Sequence, residues 1–333
     1  MLYWIKLPKK LEIIMNEYQL INKYFRKLSL NNIPAKKLND DVFFDKSNKL
    51  VISVDAYNEG VHFPNFNHPD LVAKKVIRSS ISDLISKGVK PKYYFISGSG
   101  NKKKFTKKNL KKLSSSLMQE QNRFNIKLSG GDTTFSNKVN FTVTVVGFSN
   151  KIIERNKARL NDDIYITGNI GDSYLGLRLI KGKIRLSPKK KKYFVSKYYI
   201  PEIPFKIFKN INKFANTSMD VSDGLFSDMT KLINKQNLNY EIYLNQVPIS
   251  SQLNLYLKKN KLNKLNYIHF GDDYQILFTA SPKNRKLIKS IASKINQKIT
   301  IIGKILSGKK RNVIKIDNKS LNISDFKGYN HSF

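Results

Sequence analysis

Apolar positions along the chain follow two rhythms. Leu50 to Val54 is a near-continuous apolar run that ends at Asp55, the pattern of a buried strand. From Leu71 to Lys87, apolar residues recur at Val72, Ala73, Val76, Ile77, Ile81, Leu84 and Ile85. That spacing predicts a helix, with Gly88 as its stop. Leu110, Leu113, Leu117 and Phe124 mark a second helix whose stripe reads as core, and Val139, Phe141, Val143 and Val145 alternate as a half-buried strand does. Near Asn150 the pattern breaks, and residues 150–163 are polar and charged. Strand Ile164–Thr167 follows, then Gly168, Gly171 and Asp172 ahead of a helix. Leu225, Phe226, Met229, Leu232 and Ile233 form another amphipathic helix, and Gln275–Ala280 and Lys298–Ile305 read as strands. Ser187–Tyr193 reads as an exposed loop or a helix start. The mixture predicts an α/β (α+β) chain of two domains divided near residue 150, which suits 333 residues at about 100–200 per domain.

Composition narrows this picture. No run of about 18 apolar residues is present, so no membrane helix is expected. The start, broken by Lys6, Lys9 and Lys10, is a poor secretion signal, and there is no cysteine. The cytoplasm is the expected compartment, without disulfides or thiolate metal sites. The formal net charge is +37. Such a balance raises nucleic-acid binding, since basic stripes gather phosphates. Here the lysines are scattered, with local clusters at Lys102–Lys104 and Lys189–Lys192, and no aromatic-rich recognition stretch lies between basic residues. A lysine-biased solvated surface is the favoured reading, with no specific nucleic-acid partner.

Acids are scarce, 24 in all, and many stand beside Gly, Ser or another Asp. They are Asp40-Asp41, Asp55, Asp83, Asp132 after Gly130-Gly131, Asp220 with Asp223, and Asp272-Asp273 after Gly271. Any one site could be turn chemistry; the set calls for more. Mg²⁺ takes carboxylates, waters and substrate phosphates, and strand ends can aim several acids into one cleft. Asp55 reads as ending its strand, and Asp132 as following one (Ile126–Leu128), with two glycines that admit close backbone approach to a phosphate. Asp220 and Asp223 flank a turn opening a helix, whose amides also favour anions. There is no P-loop, no complete G-x-G-x-x-G, no protein-kinase signature and no H-E-x-x-H, and the four histidines are dispersed.

Five segments then carry a resemblance. SVDAYNEGVHF (Ser53–Phe63), SISDLISKG (Ser80–Gly88), SGGDTT (Ser129–Thr134), MDVSDGLFSD (Met219–Asp228) and GDDYQILFT (Gly271–Thr279), with a terminal GYNHSF (Gly328–Phe333), resemble the thiamine-monophosphate kinase family in order and spacing. The resemblance implies the two-domain aminoimidazole ribonucleotide synthetase-like fold and a homodimer formed through the N-terminal sheets. It implies ATP-dependent phosphorylation of thiamine monophosphate with several Mg²⁺ ions. By that resemblance Asp41, Ser53, Val54, Asp55, Asp83, Asp132, Asp220 and Asp223 match metal positions. Gly131, Asp132, Arg155 and Ser222 match nucleotide contacts, and His62, Asp272 and Tyr329 match contacts to the thiamine phosphate. Three departures stand out: Lys37-Leu38-Asn39 replaces a usual Gly-x-Gly, Val54 a usual Thr, and Asp272 a usual Glu. MNEYQLINKYF (Met15–Phe25) resembles the family's usual start, which makes 1–14 an extension and sets the domains at 15–149 and 150–333. The acceptor is a phosphate, already ionised near neutral pH, so metal and positioning roles are expected and no general base. Other enzymes of the same superfamily and a basic nucleic-acid-binding protein are the competing readings.

Overall fold

A five-stranded and a seven-stranded sheet, held together by one long buried helix, make up the computed structural model. It describes residues 15–317, 319–323 and 328–329; the extension 1–14 and Asn330–Phe333 of the terminal motif lie outside them. The first sheet contains β1 (Phe43–Asp45), β2 (Leu50–Asn58), β3 (Pro91–Gly100), β4 (Lys127–Phe135) and β5 (Asn140–Phe148), in the order β1-β2-β5-β3-β4. Its neighbours are antiparallel except the β3–β4 pair. Helices α1 (Pro69–Ser86) and α2 (Lys107–Phe124) belong to this half. Val51, Phe141, Val143 and Val145 are buried on the inner face. The outer face leaves Val54 62%, Phe148 48% and Phe95 39% exposed.

The second sheet contains β6 (Asp163–Thr167), β7 (Ala215–Asp220), β8 (Leu238–Tyr243), β9 (Ile276–Ala280), β10 (Ile299–Ser307), β11 (Val313–Ile316) and β12 (Lys319–Asn322). Their order is β12-β11-β8-β10-β6-β9-β7. The central strands β6 and β9 are buried at every residue, as expected of strands covered on both faces. Helices α3 (Asp172–Ile180), α4 (Pro188–Tyr199), α5 (Leu225–Leu232), α6 (Ser251–Lys259) and α7 (Arg285–Lys294) belong to this half.

Helix α1 is the shared spine. Its apolar stripe buries Val72, Val76, Ile77, Ile81, Leu84 and Ile85, each contributing about 1.5–3 kcal/mol of transfer free energy. Its polar residues are buried too, and they join the sheets. Ser82 donates to Asp220 at the end of β7, and Ser218 donates to the Ser86 carbonyl at 2.5 Å. One hydrophobic cluster accordingly runs from β2, β5 and α1 into Tyr198, Ile276, Phe278 and Ile288 of the second half. Across the other flank, Arg78 forms a buried two-point ion pair with Glu120 of α2, at 2.8 and 3.1 Å.

Three sequence expectations need correction. Strand β2 continues past Asp55 to Asn58, because Ser53, Asp55 and Tyr57 keep the pleat and pair through to Asn140 of β5. Gly130-Gly131-Asp132 is not a loop after a strand but lies within β4, paired in parallel with β3. A Cβ on Gly131 would lie 1.9 Å from the Ile96 carbonyl oxygen, so only glycine admits this pairing. Finally, the α2 stripe is only partly core: Phe124 is buried, Leu113 and Leu117 pack at its edge, and Leu110 is 40% exposed.

Candidate active site

The seam between the sheets opens into a cavity of about 1110 Å³. Its walls include Asp41, Val54, Asp55, Asp83, Arg155, Asp220, Ser222, Asp223 and Tyr329, nine of the residues singled out in the sequence. Four segments deliver the acids, with Asp41 from the stretch before β1. Strand β2 contributes Asp55, α1 contributes Asp83, and the β7–α5 turn contributes Asp220 and Asp223. Ser53 is buried one pleat from Asp55, with its hydroxyl 3.5 Å from the Ser80 carbonyl.

Two groups of carboxylates differ in how they are neutralised. Asp40 and Asp41 face Lys87, whose Nζ lies 2.7 and 2.6 Å from them, and Arg155 pairs with Asp41. Asp223 and Asp228 share Lys231. Asp228 also accepts the amides of Asp223 and Gly224 at 3.0 and 3.1 Å, which pins the turn. By contrast, Asp55, Asp83 and Asp220 form no ion pair among the described residues. Burial pushes their carboxyls up, Asp55 and Asp220 to about 7 and Asp83 well above the usual carboxylate range; repulsion by Asp55 and Asp220 adds to the shift of Asp83, and repulsion by Asp228 and Asp55 to that of Asp220. Tyr57 donates to Asp55 at 3.3 Å and Ser82 to Asp220, the small compensations present.

Among the described residues no three acids or histidines converge closely enough to hold a metal ion as they stand, since several are turned to their lysines and arginine. The donor set nevertheless fits Mg²⁺ chemically. It consists of hard carboxylate and hydroxyl oxygens, and three desolvated acids have no direct ion pair.

A second cluster adjoins the cavity. Asp272 is ion-paired at 2.7 Å to Lys75 of α1, a fully buried ammonium that also lies 3.4 Å from the Tyr198 ring centroid. The Tyr198 hydroxyl donates to the His62 carbonyl at 2.8 Å, and the His62 ring accepts the Asn58 amide at 3.0 Å. His62 and Asp272 are thus linked through Tyr198 and Lys75, although neither lines the main cavity. The Tyr329 amide donates to the Asp223 carbonyl at 2.9 Å, which places Tyr329 against the β7–α5 turn. The loops 221–224 and 271–274 are joined by backbone hydrogen bonds, Asp272 to Ser222 and Tyr274 to Val221, both 2.9 Å.

Asp132 and Gly131 stand apart. Strand β4 lies three strand positions from β2, about 14 Å at usual strand spacing. Asp132 shares its register row with Ser97, Thr142 and Ala56, whereas Asp55 shares one with Val143 and Ile96. Asp132 therefore points to the outer face and Asp55 to the inner one. Within one chain they do not meet.

The sequence reading missed Lys87, Lys75 and Lys231. Nothing marks them among 61 basic residues, because pairing with a distant acid leaves no local pattern. Asp228 was inside a quoted motif, and its i,i+3 spacing to Lys231 was readable.

Comparison with known proteins gives a consistent answer. Residues 39–149 match the family model described as AIR synthase related protein, N-terminal domain. A thiamine-monophosphate kinase of Buchnera aphidicola from Acyrthosiphon pisum is 32% identical over 327 residues, 95% of this chain and 98% of that protein. The structure of AaThiL complexed with AMPPCP and TMP superposes with a TM-score of 0.82 at 26% identity over 99% of both chains. The thiamine monophosphate kinase of Aquifex aeolicus gives 0.75 at 27%, covering 89% of this chain and 97% of that one.

Proposed function

The chain belongs to the thiamine-monophosphate kinase family, and from that membership we propose how its own residues perform the reaction. It phosphorylates thiamine monophosphate with ATP. An oxygen of the thiamine phosphate attacks the γ-phosphorus, the bond to the β–γ bridging oxygen breaks, and ADP leaves with that electron pair. The attacking phosphate is a weak acid already ionised at pH 7, so no side chain needs to remove a proton.

Asp55, Asp83, Asp220 and Asp223, with Ser53 and the Val54 carbonyl at their margin, would hold Mg²⁺, and Asp41, ion-paired to Lys87 and Arg155, stands beside them. The ion supplies charge neutralisation and alignment of two anionic phosphates. The supporting observation is the unpaired trio Asp55, Asp83 and Asp220, buried in a cavity large enough for both substrates. Arg155 lines the same cavity and supplies positive charge to the nucleotide phosphates, and Ser222 lines it too. His62, Asp272 and Tyr329 form the thiamine-phosphate side. Their support is the Lys75–Tyr198 link and the contact of Tyr329 with the turn that carries Asp223.

The position of Asp132 supports a homodimer. Its outer face, with Val54, Phe95 and Phe148 bare, is the kind of apolar patch that marks an interface. A second copy packed there brings its own Asp132 and Gly131 to the nucleotide end of the cavity. We also retain 15–149 and 150–333 as the two domains. The test is turnover by the purified protein with ATP, Mg²⁺ and thiamine monophosphate. Thiamine diphosphate formation, absent with unphosphorylated thiamine and lost on chelation, is expected; no product from folded protein would leave only the fold.

A further inference from the structure

Lys87 is the first residue after α1, and its side chain is fully buried. Three oxygens surround its ammonium: Asp40 at 2.7 Å, Asp41 at 2.6 Å and the Ser218 carbonyl at 2.8 Å. They come from the segment before β1, from the same segment again, and from β7, so the ammonium ties both halves of the molecule at the cavity wall. An ammonium buried this deeply is tolerable only when paired. Arg155 completes the group on Asp41, with its own backbone amide donating to Asp40 at 3.0 Å. Two negative charges thus meet two positive ones, and this corner of the pocket is neutral without metal.

We propose that Lys87 is a built-in countercation of the acid pocket, its ammonium occupying the place between Asp40 and Asp41 that a divalent ion would otherwise take. The inference rests on the Mg²⁺ reading above and refines it. Ions from solution bind at Asp55, Asp83 and Asp220, which form no direct ion pair among the described residues, and Asp41 serves the ammonium instead of a metal. A tethered cation cannot dissociate, so this corner stays neutral when free Mg²⁺ is low.

The test counts ions. Wild type, Lys87→Met and Lys87→Arg are titrated with Mn²⁺, free ion is followed by its paramagnetic resonance signal, and each protein is melted with and without excess MnCl₂. Lys87→Met is expected to bind one Mn²⁺ more per chain than wild type, and its lowered melting midpoint to recover with Mn²⁺. Lys87→Arg is expected to bind the wild-type number. A folded Lys87→Met with an unchanged count overturns the proposal, and so does a Lys87→Met that stays unfolded in excess Mn²⁺. An extra ion on Lys87→Arg overturns it too, because charge would then not be the cause. Absence of Mn²⁺ binding by all three proteins removes the Mg²⁺ reading itself.

Discussion

The two sheets are built to different degrees of completion. In the second, the central strands β6 and β9 are buried at every position, while the edge strand β12 is exposed. In the first, one face packs on α1 while the other leaves Val54, Phe95 and Phe148 bare, and β4 is exposed along its whole length. The unfinished face is also where Asp132 points. A sheet that leaves an apolar face open and keeps a carboxylate there is what the proposed dimer requires, whereas the centre of the second sheet is covered within one chain. In the proposed homodimer, one chain supplies the acid cavity and a second chain completes the site.

The largest effect tests that division directly. Asp132→Asn and Asp220→Asn are each expected to lower turnover by about 100-fold or more. Mixed and reassociated, they should recover about a quarter of wild-type turnover, since half the dimers are mixed and each has one intact site. No recovery on mixing would place Asp132 and Asp220 in one chain's site. Next, Phe95→Asp with Phe148→Asp should convert dimer to monomer in sedimentation and remove most activity while leaving circular dichroism unchanged. A dimer that persists would move the interface elsewhere.

A smaller effect concerns the seam. Asp55 and Asp220 have folded pKa values near 7, above the ordinary 3.8. Between those values the folded chain holds protons that the unfolded chain has lost, so metal-free stability falls as pH rises through this window. Thermal melts at pH 5.5 and pH 7.5 are expected to show the higher midpoint at the lower pH, with Mg²⁺ closing the gap. Equal midpoints without metal would mean that these acids are already compensated. The smallest effect belongs to the approach to β1. Lys36, Lys37 and Leu38 have φ of 53, 56 and 53°, a left-handed run where side chains are strained. Lys37→Gly or Leu38→Gly should each stabilise by about 1 kcal/mol in denaturant titration. Destabilisation instead would show that these side chains earn their place by packing.

Much of this was legible in the sequence. The helical spacing of Val72 to Ile85 gave α1 almost to its ends, and the alternation of Val139 to Val145 gave β5. The acids beside Gly, Ser or another Asp marked six of the carboxylates on the cavity wall. Strand β4 was misread because Gly-Gly signals a turn locally, while here the absence of side chains allows a close parallel neighbour. The face to which Asp132 points depends on register across three strand pairs, which no local pattern encodes. The roles of Lys75 and Lys87 depend on contacts with residues far along the chain, Asp272 in one case and Asp40, Asp41 and Ser218 in the other.

The paired loops 221–224 and 271–274 have a mechanical meaning. The amides of Asp272 and Tyr274 reach across to Ser222 and Val221, and a Cβ on Gly271 would sit 1.7 Å from the Ser222 oxygen, so the two strips lie flush. In the proposed assignment, the strip with Ser222 borders the nucleotide and the strip with Asp272 the thiamine phosphate. Two strips joined so closely are expected to move as a single lamina, and under that assignment they would hold donor and acceptor as a jig holds two workpieces, through one stiff part in place of two separately adjusted ones.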